Sequence, residues 1–253
     1  MEITFLGTGT SYGVPRIGCT CSVCTSNNEK NKRLRSSIYI KEGDTSIVVD
    51  TGPEFRLQML INHITDVSAV LYTHNHADHI NGIDDLRVFS ETGPLEVFGP
   101  KQVIDDLHHR FAYAIGINPY IGGLPQLKTT TIPLKGLQIG DMQVIPIPLV
   151  HGCREVYGYR IGPFAYLSDC KEIPPSSYEK LVGVEVVVLD ALRYKEHPTH
   201  MNLDQAIAAS RLIGAKETYL THLSHDFDHD TLTRDLPRGM FPSYDGLILH
   251  IDT

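Results

Sequence analysis

The stretch Thr73-His74-Asn75-His76-Ala77-Asp78-His79 decides how this chain is read. It comes straight after the apolar run Val67–Tyr72, so it leaves the end of a buried strand. Three imidazoles and a carboxylate fall within six residues. Such nitrogen and oxygen donors suit zinc, manganese and iron. In extended backbone His74 and His76 project to the same side and can grip one ion, while a turn at Ala77 aims Asp78 and His79 at a second.

Four ligands cannot complete two sites, so more are expected downstream. His151 follows the run Val144–Val150, Asp169 follows Phe164–Leu167, and His222 follows Thr218–Thr221. Each stands at the end of an apolar run. Any one alone would read as a surface or hydrogen-bonded residue; in this order after H-x-H-x-D-H they read as a set. Cys170 comes next to Asp169, and adjacent strand residues face opposite ways, so only one of the two is expected to face the metals. A buried thiol is the reading for Cys170.

Outward from these residues, short apolar and β-branched runs predict strands over Ile3–Gly7, Ser37–Ile40, Ser46–Asp50, Val67–Thr73, Leu95–Phe98, Gln143–Pro148, Gly158–Ile161, Phe164–Ser168, Val184–Asp190, Glu217–Thr221 and Leu247–Ile251. Helical spacing marks Lys101–Ala114 and Leu203–Ile213, the latter with Asn202 as N-cap and Gly214 just past its end. Many strands in both halves with few helices predict a layered α/β domain spanning residues 1–253. Gly and Pro make Ile115–Gln126 an irregular loop.

The whole set resembles the metallo-β-lactamase superfamily, from Ile3 to Ile251. That resemblance implies an αββα sandwich of two mixed β-sheets flanked by helices. It implies one divalent metal held by His74, His76 and His151, a second held by Asp78, His79 and His222, and Asp169 bridging both. Zinc, manganese or iron would fill the pair, and a hydroxide shared between two metals would attack the substrate. Asp169 is preferred over Cys170 because Ser168-Asp169 resembles the phosphodiesterase branch.

Three features narrow the branch. Phe5-Leu6-Gly7-Thr8-Gly9-Thr10-Ser11 resembles the start of the superfamily's phosphodiesterases and transfer-RNA 3′-processing nucleases, with small residues that would let backbone pass close to the metals. Three thiols in Gly18-Cys19-Thr20-Cys21-Ser22-Val23-Cys24 can wrap one tetrahedral zinc but need a fourth ligand, which makes residues 18–25 a zinc-binding loop. With Thr221-His222-Leu223-Ser224-His225, this cluster resembles the bacterial phosphodiesterases of the carbon–phosphorus lyase pathway, which open phosphoribosyl 1,2-cyclic phosphate. The resemblance gives His225 to that structural zinc. It also places His200, in His197-Pro198-Thr199-His200, against the substrate as proton donor to the leaving alkoxide. Asp78 and His200 are thus the residues assigned to catalysis. Arg33 and Arg35 are candidate phosphate ligands, because Arg binds phosphate bidentately.

Composition excludes other classes. Lys plus Arg is 22 against 30 Asp plus Glu, a net charge of -8, which argues against nucleic acid as the main partner. The start MEITFLGTGTS carries no signal-peptide pattern and no apolar run suits a membrane span. Five Cys without an export signal point to a reducing compartment, hence the cytoplasm. The family's transfer-RNA nucleases carry a protruding arm between the residues matching His151 and Asp169; only 17 residues separate them here. Its glyoxalase-type thioesterases append a helical domain after the last ligand; 31 residues follow His222. The expectation is a metal-dependent phosphodiesterase for a small, cyclic, phosphoribosyl-type ester. Alternatives are those two enzyme classes and a non-catalytic metal-binding domain. Relatives are often dimers, which makes a homodimer a candidate assembly, though the sequence itself carries no sign of oligomeric state.

Overall fold

A computed structural model describes residues 1–115 and 123–252. Among these, fourteen strands form two seven-stranded sheets. The first sheet contains β1 (Glu2–Gly7), β2 (Ser37–Glu42), β3 (Thr45–Val49), β4 (Ala69–Leu71), β5 (Leu95–Gly99), β6 (Leu127–Thr131) and β14 (Ile248–His250). The second contains β7 (Leu137–Ile139), β8 (Met142–His151), β9 (Arg154–Ile161), β10 (Phe164–Leu167), β11 (Val186–Asp190), β12 (Glu217–Thr221) and β13 (Met240–Pro242). Their orders are β14-β1-β2-β3-β4-β5-β6 and β13-β12-β11-β10-β9-β8-β7. Both are mixed: β3 to β6 run parallel, as do β10 to β13, while the remaining pairs are antiparallel.

Alternation along each strand explains the layering. Ile47 and Val49 of β3 join Ile3, Phe5, Ile38 and Ile40 to face Val144, Tyr159, Phe164, Tyr166 and Val188 of the other sheet. Val48, between them, points outward with Leu6, Val70 and Val97 onto Phe55, Met59, Val103, Ile104 and Leu107. Those side chains belong to helices α1 (Phe55–Ile61) and α3 (Lys101–Arg110), with α2 (Ala77–Ile80) between them in the chain. The second sheet is covered likewise: Leu149, Leu167, Val187 and Leu189 pack on Leu181, Ala206, Ala209 and Leu232. These come from α4 (Pro175–Leu181), α5 (Leu203–Ile213) and α6 (His229–Asp235). Central strands buried on both faces read as unbroken apolar runs, which is why they show in the sequence. The architecture is the αββα sandwich.

The differences from the sequence reading have local causes. Helix α3 stops at Arg110 and a short 3-10 turn, Ala112–Ala114, follows it. Helix α5 has the predicted bounds: Asn202 accepts from Gln205 N, the Gln205 side chain returns the bond, and Gly214 takes the left-handed conformation. Of the predicted loop Ile115–Gln126, residues 116–122 lie outside the described residues. No helix among the described residues is long and apolar enough to cross a membrane.

Candidate metal centre

The ends of the parallel strands converge on one edge of the sandwich. Beyond β4, the chain presents His74 and His76, then turns into α2, which carries Asp78 and His79. Strand β8 ends on His151; Asp169 and His222 follow β10 and β12. His74, His76, His151 and Asp169 bring one ligand atom each within 4.8 Å of one another, and so do Asp78, His79, Asp169 and His222. Asp169 belongs to both groups.

The donors fit divalent metals. His74 Nε2 faces His76 Nδ1 at 2.9 Å and Asp169 Oδ2 at 3.6 Å. His79 Nε2 is buried without a hydrogen-bond partner, 3.3 Å from both Asp78 Oδ2 and Asp169 Oδ1. His222 Nδ1 stands 3.0 Å from Asp169 Oδ1. Burial holds the His74 and His76 imidazoles below their ordinary range and lowers His151 to about 4, so these rings are neutral, the form that ligates metal. His79 is the opposite case. Burial opposes its charge, but Asp169, Asp78 and Asp50 raise it well above the usual histidine range. A metal cation in place of that proton satisfies the same carboxylates.

The ligands are braced from behind. The ring edge of His74 facing away from the centre carries Nδ1, which donates to Thr73 Oγ1 at 2.9 Å. Thr73 Oγ1 in turn donates to Asp50 Oδ2 at 2.8 Å. Asp50 also accepts from Thr73 N at 2.8 Å and His79 Nδ1 at 2.7 Å. His151 Nδ1 donates to Thr199 O at 2.7 Å, and Ser36 Oγ lies 3.3 Å from His222 Nδ1. Such outer partners fix the ring orientation of metal-binding histidines. Asp50 was not picked out from the sequence, yet the signal is there. It ends the run Ser46–Val49 just as Asp169 ends Phe164–Leu167.

His200 lies against this cluster. Its ring stacks on His222 at 4.8 Å and 11°, with His151 4.6 Å away. Its Nδ1 donates to Asp190 Oδ2 at 2.7 Å, and Asp190 also accepts from Cys170 N at 2.8 Å. Burial works against the charged ring, but Asp190 overrides it and raises His200 to about 9. Asp190 is a second strand-end acid, on β11, that the sequence reading passed over. Cys170 itself is buried in the core, with Sγ 3.3 Å from Glu172 O, and belongs to neither ligand group.

The two arginines offered as phosphate ligands are engaged elsewhere. Arg33 is buried, and its Nη1 donates to Phe227 O at 3.2 Å. Arg35 pairs with Glu54 and donates from Nε to Ser11 O at 3.1 Å. The Gly-rich turn also has a different closeness from the one expected: a Cβ on Gly7 would collide with the Arg35 carbonyl, so its glycines admit the backbone of residues 33–35. The turn still reaches the centre, because Leu223 N, next to His222, donates to Thr8 O at 2.9 Å.

A second cluster lies beyond His200. Sγ of Cys19, Cys21 and Cys24 stand 3.2, 3.4 and 3.5 Å from His225 Nδ1. Ligands of one tetrahedral zinc, with Zn–S about 2.3 Å and Zn–N about 2.0 Å, lie at such separations. Backbone N–H groups of Cys24 and Arg16 point at Cys21 Sγ (3.4 Å) and Cys24 Sγ (3.3 Å). The Cys24 N–H, with His225, lowers Cys21 to about 6, favouring the thiolate that binds metal.

Comparison with known proteins agrees with this geometry. The family model described as a beta-lactamase superfamily domain matches residues 45–223. The chain is similar to the crystal structure of a diphosphatase from the PhnP family, with 38% identity, TM-score 0.92, and 99% of this chain and 98% of that one covered. It is 39% identical over 256 residues to an octanoyltransferase of Porphyromonas gingivalis, covering 100% of this chain and 52% of that protein. The chain thus spans about half the length of that curated relative. Zn(2+)-bound PqqB from Methylobacterium extorquens shares the fold, with TM-score 0.81 at 17% identity and coverage of 99% and 100%. The chain belongs to the beta-lactamase superfamily, with the metallo-β-lactamase fold and a resemblance to the PhnP family.

Proposed function

We propose that this protein is a dinuclear-metal phosphodiesterase for a small phosphate ester of the cyclic, phosphoribosyl type. The observation that carries the reading is Asp169, shared by two ligand groups, with His200 stacked beside them. His74, His76 and His151 would hold one divalent ion, Asp78, His79 and His222 the other, with Asp169 between. When bound, the pair supplies the Lewis acidity that activates water and offsets charge on phosphoryl oxygens.

The chain's own residues do the rest. Thr73, Asp50 and Thr199 keep the ligand rings aimed, so no reorganisation is needed as the substrate arrives. Asp190 occupies Nδ1 of His200, which leaves Nε2 to carry the mobile proton. That proton goes to the departing ribose-type oxygen, a poor leaving group without it. Cys19, Cys21, Cys24 and His225 would hold a structural zinc.

One observation favours a second reading. The 38%-identical neighbour is called a diphosphatase, so a phosphoric anhydride is the competing substrate class. An anhydride leaves as phosphate and depends less on a proton from His200. The octanoyltransferase name attaches to a protein extending well beyond the matched region, and no residue here argues for acyl transfer. Phosphorus NMR of metal-loaded protein tests the reading. Phosphoribosyl 1,2-cyclic phosphate is expected to open to a single ribose bisphosphate. Turnover of a nucleoside diphosphate sugar instead would move the substrate to anhydrides. Turnover of neither, by protein holding its metals, would revive the transfer-RNA nuclease, thioesterase and non-catalytic readings.

A further inference from the structure

Arg35 touches both the turn in front of His200 and the segment behind the metal ligands. We propose that Arg35 is a positioning residue, a strut that holds the Ser11–Gly13 turn at a fixed distance from the helix carrying Asp78 and His79. The strut stands on its contacts; its effect on turnover rests on the phosphodiesterase reading.

The turn needs such a tie. Backbone bonds fasten its two flanks to residues 33–36: Gly9 N donates to Leu34 O at 2.8 Å, Ser36 N to Gly9 O at 3.1 Å, and Val14 N to Arg33 O at 2.9 Å. Between those flanks, Ser11 and Tyr12 are exposed. With Gly13, His197 and His200 they line a cavity of about 190 Å³. His200 stacks on His222, so the turn is a wall of the space into which the leaving group departs. Arg35 reaches this crest from below, donating from Nε to Ser11 O at 3.1 Å.

The other end of the strut lies at the metal ligands. Glu54, the residue that opens α1, pairs with Arg35 Nη1. The residues just before it are stitched to α2: Thr51 N donates to His79 O at 2.7 Å, and Gly82 N donates to Thr51 O at 2.8 Å. Gly52 permits the close approach, since a Cβ there would stand 2.4 Å from Asp78 O and 3.3 Å from Arg35 Cβ. Glu54 also depends on this cation. Its Oε2 is buried with no hydrogen-bond partner among the described residues, so without Arg35 its charge would be uncompensated. A planar fork joins the two sides as a point charge cannot. With the wall held, the leaving oxygen stays in line with the attacking one; a misplacement of about 1 Å costs on the order of 10²-fold.

The chain has no Trp, so Tyr12→Trp places a single selective fluorophore on the crest of the turn. In that background, Arg35→Ala is expected to lower the fluorescence anisotropy of metal-loaded protein. Added methylguanidinium, which refills the gap, should restore it, and sodium at the same ionic strength should not. Arg35→Lys guards against misfolding: it keeps a cation beside Glu54, loses the bond to Ser11, and should show the same drop at unchanged melting temperature. Unchanged anisotropy in both variants would overturn the strut. Turnover gives the second readout. With bis(p-nitrophenyl) phosphate, metal-loaded Arg35→Lys is expected to lose about 10- to 100-fold in kcat, with KM and metal content little changed. A rise in KM alone, or a loss that follows lost metal, would overturn the positioning role. An anisotropy drop in a protein that cleaves no phosphodiester would support the strut and refute only the phosphodiesterase reading.

Discussion

The two metal clusters are built in opposite ways. The catalytic groups draw their residues from the ends of β4, β8, β10 and β12, across both sheets. Most of those side chains are buried, and the rings of His74, His79, His151 and His222 are braced by Thr73, Asp50, Thr199 and Ser36 respectively. The cysteine cluster takes three of its four members from one loop, partly exposed, with two backbone N–H groups as its only braces on sulfur among the described residues. The first is shaped by the fold, and metal is added to it. The second, with zinc bound as proposed, would rely on its ion to shape the loop. Metal removal should therefore leave the catalytic edge in place and release the loop.

The largest expected effect comes from the residue both catalytic groups share. Asp169→Ala should lower the content of catalytic metal by half or more and cut turnover by at least about 10³-fold. Metal analysis showing full occupancy would break the shared-ligand picture. His200→Ala should cost about 10²- to 10⁴-fold with alkyl leaving groups and far less with p-nitrophenolate, which hardly needs a proton. Equal losses on both would remove the proton-donor role. Asp50→Asn tests the bracing itself. Metal affinity should fall by about 10- to 100-fold, read by titration against a chelator, while the ligands remain present. Unchanged affinity would mean that the fold alone shapes the site. Cys21→Ser should have the smallest effect on chemistry. It should release about one zinc, keep the catalytic metals, and lower the melting temperature by roughly 5–10 °C. Retained zinc would erase the contrast between the clusters.

The sequence made the catalytic cluster legible because its residues end apolar runs that are buried on both faces. The same rule applied to Ser46–Asp50 and Val184–Asp190 would have marked Asp50 and Asp190. They were missed because an acid at a strand end is ordinary until a histidine is seen to need it. Arg33 misled for the reverse reason. A cation in a basic segment is expected at the surface, whereas here burial lowers it to about 10, with Asp245 and Asp228 nearby to compensate. Strands β6, β7 and β13 escaped because they lie at sheet edges, short or polar, as in Leu127-Lys128-Thr129-Thr130-Thr131. Helices α1, α4 and α6 have seven residues each, too few for a period of 3.6 to declare itself.

Three of the strand-end residues share a backbone feature. Asp50, Asp169 and His222 have φ of 63°, 51° and 58°, in the left-handed region. That conformation costs an ordinary residue roughly 1–2 kcal/mol. Asp, Asn and His are the side chains found there several times more often than others. The alphabet at these positions is therefore narrowed twice, once by coordination chemistry and once by the bend of the main chain. A Glu has the right oxygens and the wrong backbone preference; a Gly has the reverse. Ligand exchange at this hub is thus confined largely to Asp, Asn and His. A replacement from outside that set at Asp169 or His222 meets the strain of the turn as well as the loss of a ligand.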